Sequence, residues 1–196
     1  MQYNLSEITE LIRSRRSIAP EHFSGRKVHR EQVELLLNNA IWAPNHGLTQ
    51  PWRFIVMNGT ALEELAVVAE RAAVKGKKPE EINEKKVERM LHRIRSTSAA
   101  IAIIYHPHES GKVPEWEDLA AIGAAIQNLH LTAHAYGLAG FWATPQVMQT
   151  EEIRTHLNLE AAQFCKGIFY LGYPAEGDYK SHRRPLEYCT KWNWDE

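Results

Sequence analysis

The stretch Ala99–Tyr105, Ala-Ala-Ile-Ala-Ile-Ile-Tyr, constrains this chain most, because it is continuously apolar and shows no alternation. A strand with one wet face alternates apolar and polar side chains, so an uninterrupted run of this length reads as a strand buried on both faces. The remaining elements have to supply that cover. From Trp116 to Tyr136 the residues Leu119, Ile122, Ile126, Leu129 and Ala133 recur at helical spacing in an alanine-rich segment that includes Gly123. This predicts a long central helix packed closely against its neighbours. Ile8, Leu11 and Ile12 behind Ser6, a candidate N-cap, predict an amphipathic helix over about residues 6–16. A second helix starts near Arg30, where Val33, Leu36, Leu37, Ala40 and Ile41 form one apolar stripe that stops before Pro44.

Further strands are expected at Arg53–Met57, with Phe54 and Val56 on one face, and at Phe164–Leu171; a charged helical region lies between the first strand and Ala99. Phe141–Pro145 reads as irregular, and Glu151–Leu157 as a short helix with acidic residues at its positive end. From Gly172 onward the chain is rich in Pro, Gly, Arg and Trp and has no period, so it is expected to be extended and to wrap around something. The order is a loose α+β, without repeat or linker. We read residues 1–196 as one domain, since 196 residues with 44% hydrophobic content build one sizeable core.

The formal charge of −1 offers no general attraction to nucleic acid or to an anionic membrane, so any anion site has to be local. No apolar run approaches the roughly 18 residues needed to cross a bilayer. The opening Met-Gln-Tyr-Asn-Leu-Ser lacks the blocks of a signal peptide, and the expectation is a soluble, cytoplasmic protein. Cys165 and Cys189 have no metal spacing and read as free thiols. Neither Gly-x-Gly-x-x-Gly nor a P-loop occurs, which argues against a Rossmann site or an NTPase.

Two basic clusters remain. Arg15-Arg16-Ser17 closes the first predicted helix and could bind a phosphate through charge-assisted bonds. A basic last turn complementing the helix dipole is the plainer reading. His182-Arg183-Arg184 could converge on the same dianion or form an exposed basic tail. His130 and His134 share a helix face as zinc ligands do, but Leu131 stands where a metalloprotease has glutamate, and structural or surface histidines are the better reading. No metal site is expected. Residues 71–95, basic but interleaved with Glu80, Glu81, Glu84 and Glu88, read as a solvated helix, with a mobile active-site cover as the functional option.

Taken in order, Ile12-x-x-Arg15-Arg16-Ser17, Ala43-Pro44 with Gln50-Pro51-Trp52-x-Phe54, Gly137-Leu138-x-Gly140, Leu171-Gly172-Tyr173-Pro174 and Arg183-Arg184-Pro185-Leu186-Glu187 resemble the nitroreductase family over almost the whole chain. The small size and the Ala43-Pro44-Asn45-His46 form are most similar to its compact, YdjA-type branch. The resemblance implies a three-layer α/β/α fold with a central mixed, mostly antiparallel sheet. It also implies a C-terminal segment exchanged across a homodimer, with flavin mononucleotide (FMN) at the interface. Arg15, Arg16 and Ser17 would hold the phosphate and ribityl end, joined by Arg183 or Arg184. Trp142, Ala143 and Thr144 would lie beside the isoalloxazine ring, and Trp42 and His46 would adjoin the flavin.

The chain departs from the pattern in two places. Ala19 stands where many relatives have a lysine near the flavin N1, and Leu48 where many have asparagine. His46 is the candidate for the missing cation.

The activity implied is an FMN-dependent oxidoreductase that takes electrons from NADH or NADPH and reduces a small acceptor, such as a nitroaromatic or quinone, by ping-pong turnover. The cofactor carries the redox chemistry and no side chain need act as acid or base. A same-fold enzyme of flavin fragmentation or dehalogenation is the nearer alternative. A cofactor-free binding module using the basic 71–95 region is the more distant one.

Overall fold

The computed structural model describes residues 3–194. Helices α1 (Leu5–Ser14), α2 (Arg30–Ala40), α3 (Thr60–Val74), α4 (Glu84–Ser96), α5 (Glu115–Ala135) and α6 (Glu151–His156) surround strands β1 (Trp52–Met57), β2 (Ala99–Tyr105), β3 (Ala139–Ala143) and β4 (Phe164–Gly172). The strands form one sheet in the order β1-β2-β4-β3. All three strand pairings are antiparallel, and a parallel bridge joins Ser17 to Gly140 at the outer edge of β3. This is the mostly antiparallel, helix-flanked sheet expected.

β2 is buried along its whole length, because each face meets a separate core. Ile101 and Ile103 pack with Val33 and Leu36 of α2 and Ile122, Ile126 and Leu129 of α5. Ala100, Ala102 and Ile104 pack with Leu65 and Ala69 of α3, Leu91 and Ile94 of α4 and Ile153 of α6. A bulge interrupts the β2–β4 ladder, where Lys166 and Gly167 stand opposite the single residue Ile103.

Two expectations about elements need correction. The N-cap of α1 is Asn4, whose Oδ1 accepts from the N–H groups of Ser6 and Glu7, and the helix ends at Ser14. Arg15 turns away at ψ 132°, so Arg15, Arg16 and Ser17 lie beyond the helix rather than in its last turn. Phe141–Pro145 is also not irregular throughout. Residues 139–143 pair with Ile168–Gly172 of β4, and the neighbouring glycines and proline mask a short edge strand.

No residue of α1 is buried, and its apolar Leu5, Ile8 and Ile12 are 75%, 40% and 51% exposed. The α1 stripe therefore finds little cover within one chain. The tail runs beside its own residues 16–24 as far as Tyr179, through a Phe23–Pro174 bridge and the Ala175 N–H bond to the His22 carbonyl. Leu186, Tyr188, Trp192 and Trp194 beyond it are exposed.

Candidate functional site

The site begins where α1 stops. At Ser17 and Ile18 the chain runs alongside β3, and Ile18 N–H donates to the Gly140 carbonyl at 3.2 Å. This places Arg15 and Arg16 at the mouth of the sheet edge. Arg16 is held by backbone: its Nε donates to the Tyr179 carbonyl at 2.8 Å, and its Nη1 donates to the carbonyls of Arg13 and Arg15 at 2.6 and 3.0 Å. Arg15 is less committed, with Nη1 3.4 Å from Ser17 Oγ. Burial and the neighbouring Arg183 and Arg16 guanidinium groups hold the Arg15 pKa below its ordinary value. Among the described residues none of these three arginines has a carboxylate within ion-pair distance. Three cations gathered without a counter-charge repel one another, and an anion between them removes that cost.

Arg183 is thus brought to the cluster and Arg184 is not. Arg183 Nη1 donates to Ser181 Oγ at 2.6 Å and to the His182 carbonyl at 2.8 Å. The Arg184 guanidinium instead lies 4.1 Å from the centre of the Tyr188 ring.

The floor of the cluster comes from α5. Ser14 Oγ lies 2.7 Å from His134 Nε2, and His130, one turn earlier, is 7% exposed with its ring edge-on to Phe169 at 4.7 Å. Gly140 leaves room for this packing: a Cβ there would stand 2.4 Å from Phe169 Cζ and 3.2 Å from His130 Nδ1. Sequence alone notices the His130–His134 spacing but has no signal for Ser14 or Gly140 as their neighbours. No set of three metal-ligating side chains occurs among the described residues.

After Ile18 the chain leaves β3 for a 3-10 turn at Pro20–His22, so among the described residues the outer edge at Trp142–Thr144 has no neighbouring strand. That stretch is positioned by the β4 bulge. Gly167 sits at φ +130°, where an added Cβ would meet the Ala143 carbonyl oxygen and the Trp142 indole nitrogen, so only glycine is allowed there. Next to Ala19, Glu21 is ion-paired with Arg93 of α4 at 2.8 Å.

Trp42 and His46 lie elsewhere. His46 Nδ1 is paired with Glu117 near the start of α5, and Thr49 Oγ1 donates to the buried Asp118 at 3.2 Å. Leu48 and Gln50 carry φ values of 55° and 45°, so the loop is strained where it crosses the end of α5. The seventeen steps along α5 from Glu117 to His134 rise about 25 Å. One subunit therefore does not bring His46 to the arginine cluster. The Glu117 carboxylate also offsets any positive charge that His46 could present. Trp42, 83% exposed, borders an open groove with Asn39, Asn128 and Leu131, which continues past Leu35 and Tyr136 to Leu11 of α1.

The basic 71–95 region is not one solvated helix but the end of α3, a 3-10 turn at Pro79–Glu81 and most of α4. Arg95 pairs with Glu63 at 3.1 Å, Lys75 with Glu152, and Leu91 and Ile94 anchor α4 in the core.

Comparison with known proteins identifies the family and the fold. The sequence model of the nitroreductase family matches residues 12–173. A Bacillus subtilis protein named "Putative NAD(P)H nitroreductase YfhC" is 27% identical, with 92% of this chain and 91% of that protein covered. The Escherichia coli "Putative NAD(P)H nitroreductase YdjA" is 26% identical over 74% of this chain and 76% of its own. The crystal structure of a Desulfovibrio desulfuricans "putative nitroreductase" in complex with FMN superposes with a TM-score of 0.72 at 26% identity, covering 99% of this chain and all (100%) of that one.

Proposed function

This chain belongs to the nitroreductase family, and from that premise we propose an FMN-dependent NAD(P)H oxidoreductase whose flavin phosphate is held by Arg15, Ser17 and Arg183. The carrying observation is the set of three arginines with no carboxylate paired to them among the described residues, beside a serine, at the edge of β3. That donor set fits a phosphate dianion. When bound, FMN would supply the redox chemistry between NAD(P)H and a small acceptor such as a nitroaromatic or quinone.

The chain's own residues hold and orient. Arg15 and Arg183 supply charge-assisted bonds, and Arg16 fastens the cluster to the tail through Tyr179. Trp142–Thr144 offers an unpaired strand edge for a backbone bond to the ring, held in place by Gly167. Trp42 and His46 reach the flavin from a second subunit, and Arg184 supports the tail rather than the phosphate.

The functional unit in this reading is a homodimer. The exposed α1 stripe, the open groove from Leu11 to Trp42 and the exposed tail tryptophans are apolar surface that a second copy would cover. No helix among the described residues is long and apolar enough to cross a membrane. Free Cys165 and Cys189 fit a reducing compartment, and we place the enzyme in the cytoplasm.

The test is an absorbance spectrum of the purified protein, followed by reconstitution with FMN and steady-state oxidation of NADH or NADPH with menadione or nitrofurazone as acceptor. Flavin bands and sustained turnover are expected. No FMN binding at micromolar concentration would overturn the reading, and binding without turnover would favour the same-fold alternative chemistries.

A further inference from the structure

The two histidines beneath the arginine cluster have no part in the reading above, yet their surroundings tie them to whatever anion the cluster holds. Ser14 Oγ lies 2.7 Å from the Glu10 carbonyl oxygen and 2.7 Å from His134 Nε2. The hydroxyl has one proton and the carbonyl can only accept, so Ser14 donates to Glu10 and receives a hydrogen bond from His134 Nε2–H. This fixes the neutral tautomer and leaves Nδ1 of His134 as the atom that gains a proton.

The charges bearing on His134 are Arg15 and Arg16 after α1, which oppose protonation, and Glu10 of α1, which favours it. Arg183 adds to the positive field at Arg15 from the tail. On α5 itself the facing titratable group is His130, and the adjoining β3 residue is the uncharged Gly140. Burial, then Arg15 and Arg16, hold His134 below the ordinary histidine pKa; burial and then Arg15 bring His130 down to about 4. His130 Nδ1 is buried and has no hydrogen-bond partner among the described residues. It stays neutral at working pH, and His134, half-buried, is the group poised to change.

We propose that His134 is proton-linked to the anion site: when a phosphate monoester dianion occupies the Arg15–Arg16–Arg183 cluster, it cancels the opposing positive field and His134 takes up a proton from solvent at Nδ1. The proposal rests on the flavin reading and adds to it a residue that senses the phosphate through the arginines. The sign follows from linkage. The occupied state holds more protons than the empty one, so this contribution tightens phosphate binding as pH falls through the histidine range. A flavin that lacks the phosphate leaves the field in place and brings no proton.

The test is an NMR titration of full-length protein labelled with carbon-13 at the histidine Cε1, from pH 5 to 8.5, alone, with FMN and with riboflavin. Ten histidines contribute signals, and His134→Gln, or Ser14→Ala should that variant not fold, identifies the relevant one. The His134 midpoint is expected to rise by about one pH unit with FMN, a tenfold gain in proton affinity, and to stay put with riboflavin. Because a phosphate monoester itself titrates near pH 6, FMN affinity is read as the ratio of wild type to His134→Gln. That ratio should grow as pH falls from 8 to 6, by no more than about the tenfold that a one-unit rise allows. An unmoved His134 midpoint with FMN bound, or an equal rise with riboflavin, overturns the proton linkage alone. Failure of both flavins to bind overturns the flavin reading itself.

Discussion

Gly167→Ala tests whether the bulge in β4 sets the position of the β3 edge. Gly167 has φ +130°, a region that an L side chain rarely enters, and adopting it costs about 1–3 kcal/mol. The added Cβ would stand 2.5 Å from the Ala143 carbonyl oxygen, 2.7 Å from Trp142 Nε1 and 3.1 Å from Thr144 Cγ2. The first of these is backbone and cannot rotate aside, so β3 has to move, at about 1–3 kcal/mol by the usual cost of overpacking. Together the two effects amount to about 2–6 kcal/mol against a typical total stability of about 5–15 kcal/mol. For a chain of this size that lowers Tm by roughly 4–24 °C. Thermal unfolding by circular dichroism on flavin-free protein measures it. Since the displaced residues are those proposed to border the ring, FMN and riboflavin should both weaken, by similar factors. A variant with Tm within about 2 °C of wild type and unchanged binding of both flavins would show that the bulge relaxes freely and that Gly167 positions nothing.

The other expectations concern the cluster, the tail and pH. Arg15→Ala removes charge-assisted bonds worth about 1.5–3 kcal/mol and should weaken FMN roughly ten- to a hundredfold, with riboflavin nearly unaffected in fluorescence titrations. Arg16→Ala should behave differently, lowering Tm and weakening both flavins, because Arg16 fastens Tyr179 and the end of α1; FMN-selective loss would show that it contacts phosphate instead. Deleting residues 181–196 should yield a monomer without flavin on light scattering, and a flavin-loaded monomer would refute the role given to the tail. His130, depressed to about 4, binds a proton more readily in the unfolded chain. Its contribution to stability is present above the unfolded pKa near 6.5 and is lost as pH falls toward 4, about 2 kcal/mol by pH 5. Chemical denaturation of flavin-free protein at pH 8 and pH 5 should show this loss, and His130→Gln should reduce it to the smaller share of His134.

The sequence spoke most clearly where burial was uniform. Ala99–Tyr105 had to be covered on both faces because no residue in it tolerates water, and β2 lies between two cores as that argument requires. The α2 and α5 stripes were legible for the same reason: their periodicity is long and their partners are all apolar. β3 was not, since five residues flanked by Gly137 and Pro145 carry too short a pattern to outweigh the breakers around them. What makes Ala139–Ala143 a strand is its pairing with β4 across a separation that local propensity does not register. The end of α1 misleads in a related way. Arg13, Arg15 and Arg16 read as a basic last turn, but Ser17 and Ile18 are drawn onto the edge of β3, and the helix gives way at Arg15 to let them reach it.

The candidate site divides along the same line. Arg15, Arg16 and Ser17 are adjacent in sequence, so any fold that turns them outward keeps them together, and a motif could mark the phosphate end. The ring end depends on pairs far apart in the chain. His46 looks free as a motif residue, yet Glu117, 71 positions away, claims its imidazole, and neither residue's neighbours announce the other. The same pairing locates His46 at the start of α5, while Ser14 and His134 fix Arg15 near its end, about 25 Å away along the helix. A motif scan treats the two as parts of one site because it has no distances. With α5 between them as a rigid spacer, the Arg15 and His46 of a single subunit cannot close on one flavin phosphate together. If both serve the same cofactor, the second subunit has to present its own loop, and the open groove from Leu11 to Trp42 is the uncovered surface available for that approach.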